Sequence, residues 1–327
     1  HRPVLNLAYD NALHIKPHDK MAQFSNIAFD GSTFEIWTSL LHAATLRLIP
    51  QTVRQDFQKL KYFLKDNCIQ VMFLPTGYFH KLVHLHPETL DTVEKMMVGG
   101  EGINAHIVRD FIAYRRKKDK PILLVNGYGP TEATGHVCRQ CMDSHTDMTD
   151  DYLSSIGQSI PHVKLYLLDK EFHEVEEGEL YISGTSLALG YHRAAEGESK
   201  FIANPFEKEP PYDRLYKTGD KFKRLPTGEL IYQGRLDDQV KIGGYRIHLT
   251  EIEQQLIAHE AVQHAVVTTE LNHSKHCILV AYVRFMADKI IEAETLRHFL
   301  SQKLPPYMLP VQYRMIKEFP LTAIGKI

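Results

Sequence analysis

The sequence predicts an α/β chain: a βαβ parallel-sheet subdomain, a distorted β-barrel, then a small α+β C-terminal domain. Three changes of texture carry that expectation. Up to about residue 126, short apolar runs alternate with amphipathic stretches at helical spacing, the pattern of βαβ units around a buried parallel sheet. Beyond residue 155, short strand-like pieces are separated by glycine turns, as in an antiparallel barrel. From Asp237 onward, helix and strand patterns mix over a stretch of ordinary domain size. The expected boundaries are 1–155, 156–236 and 237–327.

In chain order, buried strands are expected at 21–28, 45–49, 69–74, 95–98 and 122–125. Helices are expected between them at 32–43, 55–67, 77–85 and 104–117. Ser32 and Glu35 fit a capping box that opens the first helix. In the barrel segment, strands are expected at 163–168, 179–182, 215–218 and 229–233, with turns at Glu177-Gly178 and Thr227-Gly228. Residues 202–212, with Pro205, Pro210 and Pro211, read as a loop. The last part reads as helix 250–259, strands 261–268 and 277–284, helix 293–303 and strand 312–316.

Composition excludes several classes. The 327 residues hold 38 Lys plus Arg against 40 Asp plus Glu, a net charge of −2. That balance is not built for nucleic acid or for a polybasic membrane contact. The apolar fraction of 43% supports a full core, and no stretch approaches the ~20 apolar residues of a membrane helix. No secretory signal opens the chain, and four cysteines point to a reducing cytoplasm. The chain lacks an initiator Met and stops at Ile327, as expected of a piece of a longer protein.

Three clusters carry the chemistry. Asn126-Gly127-Tyr128-Gly129-Pro130-Thr131-Glu132 follows an expected strand at its carboxyl end, where open α/β sheets bind ligands. Its glycines allow close backbone approach, Thr131 offers donors to phosphate, and Glu132 offers hard oxygen to Mg²⁺. Tyr128 offers a flat face to a purine. The bland alternative is a capped tight turn. Tyr216-Lys217-Thr218-Gly219-Asp220 sets one carboxylate on a turn, suited to two ribose hydroxyls, or is a plain β-turn. Gly234-Arg235-Leu236-Asp237-Asp238-Gln239-Val240-Lys241-Ile242-Gly243-Gly244-Tyr245-Arg246 sits at the texture change. It is either a basic segment that closes over an anion or a solvated linker.

Together these clusters resemble the adenylate-forming superfamily, and within it the amino-acid-activating adenylation domains of non-ribosomal peptide synthetases. Phe29-Asp30-Gly31-Ser32, Gly178 to Gly184, Gly190-Tyr191, Leu304 to Pro310 and Gly325-Lys326 agree in order. The resemblance implies ATP-dependent formation of an aminoacyl-adenylate and transfer to the phosphopantetheine thiol of a carrier protein. It implies that Asn126, Tyr128, Gly129, Thr131, Glu132, Asp220, Arg235 and Lys241 serve ATP or AMP, with Glu132 on Mg²⁺. It makes Lys326 the catalytic lysine, Asp237 the hinge, and Gly243 and Gly244 part of the thioester-forming state. Asp30 would pair with the substrate's α-amino group. Gly31, Phe34, Phe73, Met97, Gly99, Gly127, Gly135 and His136 would line its side-chain pocket. Two Phe and one Met imply an apolar, branched aliphatic substrate; His136 supports a larger polar or aromatic residue instead. The implied partners are a peptidyl carrier domain and a condensation domain.

Some features depart from that pattern. The Gly/Ser/Thr-rich phosphate loop that precedes this region in the family is absent, so the chain by itself is expected to lack turnover. Ile324, His248 and Leu189 stand where the family has an Asn, an acidic and a basic residue. The alternatives are an acyl-CoA or aryl-acid ligase of the same superfamily, and a non-catalytic nucleotide-binding remnant. The zinc-like run His136-x-Cys138-x-x-Cys141-x-x-x-His145 lacks a second pair and is set aside. His259-Glu260 with His264 is one residue too long for a zinc-protease helix.

Overall fold

The structure is a computed structural model and describes residues 1–10, 12–143, 149–192, 199–271, 277–286 and 291–319. Packing divides the chain into two units, His1–Leu236 and Asp237–Ile327.

The first unit opens with α1 (Arg2–Tyr9), β1 (Lys20–Gln23), α2 (Gly31–Leu41) and β2 (Thr45–Leu48). It continues through α3 (Gln51–Arg54), α4 (Phe57–Asp66), β3 (Val71–Pro75), α5 (Thr76–Leu85), β4 (Lys95–Gly99), α6 (Ala105–Lys117) and β5 (Leu123–Tyr128). Then come β6 (Cys138–Met142), α7 (Asp150–Ser154) and β7 (Gln158–Ser159). Among the described residues, the strands order as β2-β1-β3-β4-β5-β6-β7, with β1 to β5 parallel and β6 and β7 antiparallel.

Period-two alternation splits this sheet's two cores. Met72, Leu74, Met96, Val98 and Leu124 face Leu60, Phe79 and Phe111 of α4, α5 and α6. Val71, Met97 and Val125 face Leu7 of α1 and Phe34 of α2. The order 2-1-3-4-5 reverses direction between β1 and β3, which opens a crevice at the strands' carboxyl ends.

Helix starts follow local chemistry. Asp56 caps α4 by accepting from the Gln58 and Lys59 N–H groups; Asn104 caps α6 through His106 and Ile107. The capping box expected for α2 does not form. Its N-cap is Asp30, and the Ser32 hydroxyl donates to the Phe29 carbonyl at 2.7 Å. Glu35 turns away to accept the Phe24 and Ser25 N–H groups at 3.0 and 3.1 Å. Three buried donors on the loop after β1 outcompete the helix terminus for that carboxylate.

The barrel segment is an antiparallel sheet: β8 (Val163–Leu168), β9 (Glu177–Gly184), β10 (Phe201–Ala203), β11 (Arg214–Arg224) and β12 (Leu230–Arg235). Its own core gathers Ile182, Tyr216, Phe222 and Leu230. The expected loop at 202–212 begins later, because Phe201–Ala203 pairs with β11.

The second unit holds β13 (Gln239–Ile242), β14 (Tyr245–His248), α8 (Leu249–Ile257), β15 (Val262–Leu271), β16 (Cys277–Phe285), α9 (Ala293–Ser301) and β17 (Gln312–Met315). Its core packs Ile252 and Leu256 of α8 and Leu296 and Leu300 of α9 on β15 and β16. Gly243 and Gly244 are a two-residue hairpin turn with φ of +60° and +83°, not a linker. A primed turn demands positive φ at both positions, which glycine meets without strain. Tyr245, just after the turn, stacks on Tyr307 at 4.2 Å.

Candidate functional site

Residues from three parallel strands and the start of α2 converge at the crevice. Gly31 opens α2 just past β1; Phe73 lies in β3, Met97 and Gly99 in β4, and Gly127 in β5. Gly99 and Gly127 are register partners, and a Cβ on Gly99 would stand 2.6 Å from the Gly127 carbonyl oxygen. A Cβ on Gly31 would stand 2.7 Å from Ser25 Oγ and 2.9 Å from the Phe73 ring. Phe34 meets Phe73 edge-on at 6.4 Å and His136 at 5.4 Å. Gly127 faces Met97 and His136, while Gly135 faces Leu7. The structure thus gathers the expected pocket residues around one point.

From β5 the chain doubles back sharply. A Cβ on Gly129 would lie 1.8 Å from the Gly135 carbonyl oxygen. Thr134 is left-handed at φ +61° and Gly135 at +86°. This turn carries the Thr131 hydroxyl onto Asp30, donating to Oδ2 at 2.5 Å. The adjacent Glu132 carboxylate accepts the Tyr191 hydroxyl, and its backbone carbonyl accepts the Ala188 N–H at 2.8 Å.

Asp220 sits where the two sheets of this unit meet. It is 2% exposed and register-paired with Arg235. Tyr128 donates its hydroxyl to Oδ2 at 2.6 Å, and the Arg235 guanidinium donates to Oδ1. Burial, then the Asp220 charge, push the Tyr128 phenol well above its ordinary range, so it remains a donor. A register shift in β11 aims Asp220, with Gly219 at φ +74°. Glu179 accepts the Gly219 N–H at 2.8 Å and Thr218 donates to the Leu180 carbonyl at 2.7 Å. Tyr128 lies edge-on to Phe222 at 5.0 Å and is 7% exposed. The Asn126 amide donates to the Ser155 carbonyl at 2.8 Å.

Two groups at this crevice escaped sequence reasoning. Asp10 accepts Arg139 Nε at 2.8 and 2.7 Å and lies 3.3 Å from His136 Nε2. Thr38 of α2 lines a cavity with Asp10 and His136. The Asp10–Arg139 partners are 129 positions apart, so no local spacing signals the pair. Cys138 and Cys141 fall three apart on β6, which turns them to opposite faces. His145, Gly325 and Lys326 lie outside the described residues. In the second unit, Lys241 pairs in register with Arg246, and Asp237 accepts the Gln239 N–H at 3.3 Å.

A crevice at the carboxyl ends of a 2-1-3-4-5 sheet, with a glycine turn and the buried Asp220 carboxylate beside it, lies where open α/β sheets bind ligands. The family model of the AMP-binding enzyme matches residues 1–192, and that of its C-terminal domain matches residues 251–326. The chain belongs to the AMP-binding enzyme family. Gramicidin S synthase 1 of Brevibacillus brevis is 34% identical over 333 residues, covering 100% of this chain and 29% of its own length. Tyrocidine synthase 3 of Brevibacillus parabrevis is 36% identical, covering 100% of this chain and 5% of its own. A solved structure of PA1221, a non-ribosomal peptide synthetase protein containing adenylation and PCP domains, matches with a TM-score of 0.84. Its identity is 27%, over 99% of this chain and 55% of that one. The chain therefore spans less than a third of both synthases. Among the described residues, no helix is long and apolar enough to cross a membrane.

Proposed function

We propose that this chain activates an α-amino acid with ATP as an aminoacyl-adenylate and passes it to the phosphopantetheine thiol of a carrier domain. The observation that carries the reading is the 2.5 Å bond from Thr131 to Asp30. It joins the residue suited to phosphate to the carboxylate suited to an ammonium. An α-amino acid has its carboxylate one carbon from its ammonium. With the ammonium on Asp30, that carboxylate lies against the phosphate turn, as attack on the α-phosphorus requires. A carboxylate oxygen forms the new P–O bond, and the bond to the β-phosphate breaks to release pyrophosphate. The carrier thiolate then attacks the acyl carbon, and AMP leaves.

In this reading Asp220 accepts the ribose hydroxyls and is held by Arg235 and Tyr128. The buried Asp220 carboxylate, oriented by its Tyr128 and Arg235 donors, fits the ribose hydroxyls of a nucleotide. Glu132 would hold Mg²⁺, which screens phosphate charge when bound. Lys326 is assigned to the developing charge on the α-phosphate. Asp237 is assigned as hinge, with Lys241, Gly243 and Gly244 acting in the thioester-forming state. Asp30 favours an amino acid over a fatty or aryl acid. Relatives that are modular synthases support a carrier and a condensation domain as partners, and consumption of ATP supports a cytoplasmic setting. Phe34, Phe73 and Met97 supply apolar walls, which by themselves suit a branched aliphatic side chain.

The test is amino-acid-dependent exchange of labelled pyrophosphate into ATP. It is run on this chain and on the longest gene product containing it. Exchange that depends on one amino acid is expected in the longer product. AMP binding with no exchange in either protein would leave the non-catalytic reading standing instead.

A further inference from the structure

We infer that the activated amino acid ends in a neutral hydroxyl, carried on a ring-length side chain and seated among Asp10, Thr38 and His136. The inference rests on the amino-acid-activation reading and refines its substrate.

A cavity of about 10 Å³, room for one oxygen-sized atom, is lined by Leu7, Asp10, Phe34, Thr38, Met97 and His136. Phe34, Met97 and His136 are also expected pocket walls, so the cavity adjoins that pocket. Thr38 is 3% exposed, and its Oγ1 has no hydrogen-bond partner among the described residues. A buried hydroxyl left unpaired costs about 1–3 kcal/mol. Unpaired among the described residues, this atom lines a cavity where a ligand oxygen would complete it. Asp10 is 6% exposed and His136 7%, so this end of the pocket is polar although its walls are not.

Charge and geometry narrow the guest. Arg139 already offsets the Asp10 charge at 2.7 Å, so an ammonium or carboxylate tip would bring an uncompensated charge into a buried site. A hydroxyl donates and accepts at once, to Asp10 and from Thr38. A hydrocarbon tip would leave Thr38 unpaired, which weighs against a branched aliphatic substrate.

Asp30, Phe34 and Thr38 follow at four-residue steps along α2 and share one face. Eight residues at 1.5 Å rise separate Asp30 from Thr38 by about 12 Å. Hydrogen bonds of about 3 Å at each end, even laid along the helix, leave at least roughly 6 Å between the substrate's amino group and its hydroxyl. Serine and threonine fall short of that span; a para-hydroxyphenyl side chain fills it. The aromatic edges of Phe34, Phe73 and His136 suit such a ring.

Pyrophosphate exchange and calorimetric binding with tyrosine, phenylalanine and leucine test the inference, in the longest gene product containing this chain and in its Thr38→Val variant. Tyrosine is expected to exceed phenylalanine by at least about 100-fold, because a site built for a hydroxyl rejects its deoxy analogue strongly. Thr38→Val should cut that ratio about tenfold or more. Its melting temperature should not fall, since the lost hydroxyl has no partner among the described residues. Equal use of tyrosine and phenylalanine, or preference for leucine, would overturn the hydroxyl inference and leave amino-acid activation intact. Neither exchange nor binding with any amino acid, with AMP still bound, would overturn both.

Discussion

Replacing Asp220 by asparagine keeps the side chain's size and removes its charge. In the wild type that carboxylate accepts Tyr128 and Arg235, and Arg235 has a side chain only 5% exposed. Hydrogen bonds to a charged acceptor are worth about 1.5–3 kcal/mol each, against about 0.5–1.5 for a neutral one. Two ribose hydroxyls on Asp220 therefore lose roughly 2–3 kcal/mol together, about 30- to 150-fold in the AMP dissociation constant. Weakening the buried ion pair costs up to about 3–5 kcal/mol of stability. For a unit of this size that is on the order of 10 °C in melting temperature. The assay is calorimetric titration of AMP and of 2′,3′-dideoxy-AMP into both proteins, a cycle that isolates the pairwise term. The wild type should bind the dideoxy compound more weakly, and in Asp220→Asn that penalty should shrink by the same roughly 2–3 kcal/mol. An undiminished dideoxy penalty in the variant would refute the ribose role and leave Asp220 as a joint between two sheets.

Three further outcomes are expected. Burial raises the Glu35 carboxyl from 4.5 to about 7, against the opposing hydrogen bonds from Phe24 and Ser25. The unfolded chain ionises first, so this group's contribution to stability is present below about pH 4.5 and is lost as pH rises to about 7. The loss is roughly 3 kcal/mol, and urea unfolding across that window should show Glu35→Gln with a flatter profile than the wild type. Gly129→Ala would set a Cβ 1.8 Å from a backbone oxygen, so thermal unfolding should show a loss of about 4 kcal/mol or more. Asp30→Ala should depress exchange with the α-amino acid; a retained preference over its deaminated analogue would remove the ammonium role.

Much of the first unit is legible in the sequence, because β3, β4 and β5 are buried on both faces and read as continuous apolar runs. The helices between them show plain amphipathic spacing. Other elements gave weaker signals. β6 alternates polar and apolar residues in Cys138–Met142, and the run Phe201–Ala203 is too short to stand out from its proline-rich neighbours. The Gly243-Gly244 pair carries a hairpin signal that is equally the composition of a linker. Ser32 and Glu35 have capping-box spacing, yet tertiary donors on Phe24 and Ser25 decide where Glu35 points.

By itself, the sequence determined the class of the chain. Its glycine turn, its Thr-Gly-Asp strand end and its Asp30 segment each depend on residue types and short spacings, which are local properties. Only the tertiary structure decided which of these meet. Thr131 reaches Asp30 from 101 positions away, Tyr128 reaches Asp220 from 92, and His136 reaches Asp10 from 126. Such contacts are set by sheet order and by the sharp turn at Gly129. The unpaired hydroxyl of Thr38 becomes visible only once helix α2 is laid against that sheet, because burial and hydrogen-bond satisfaction are properties of the packed chain.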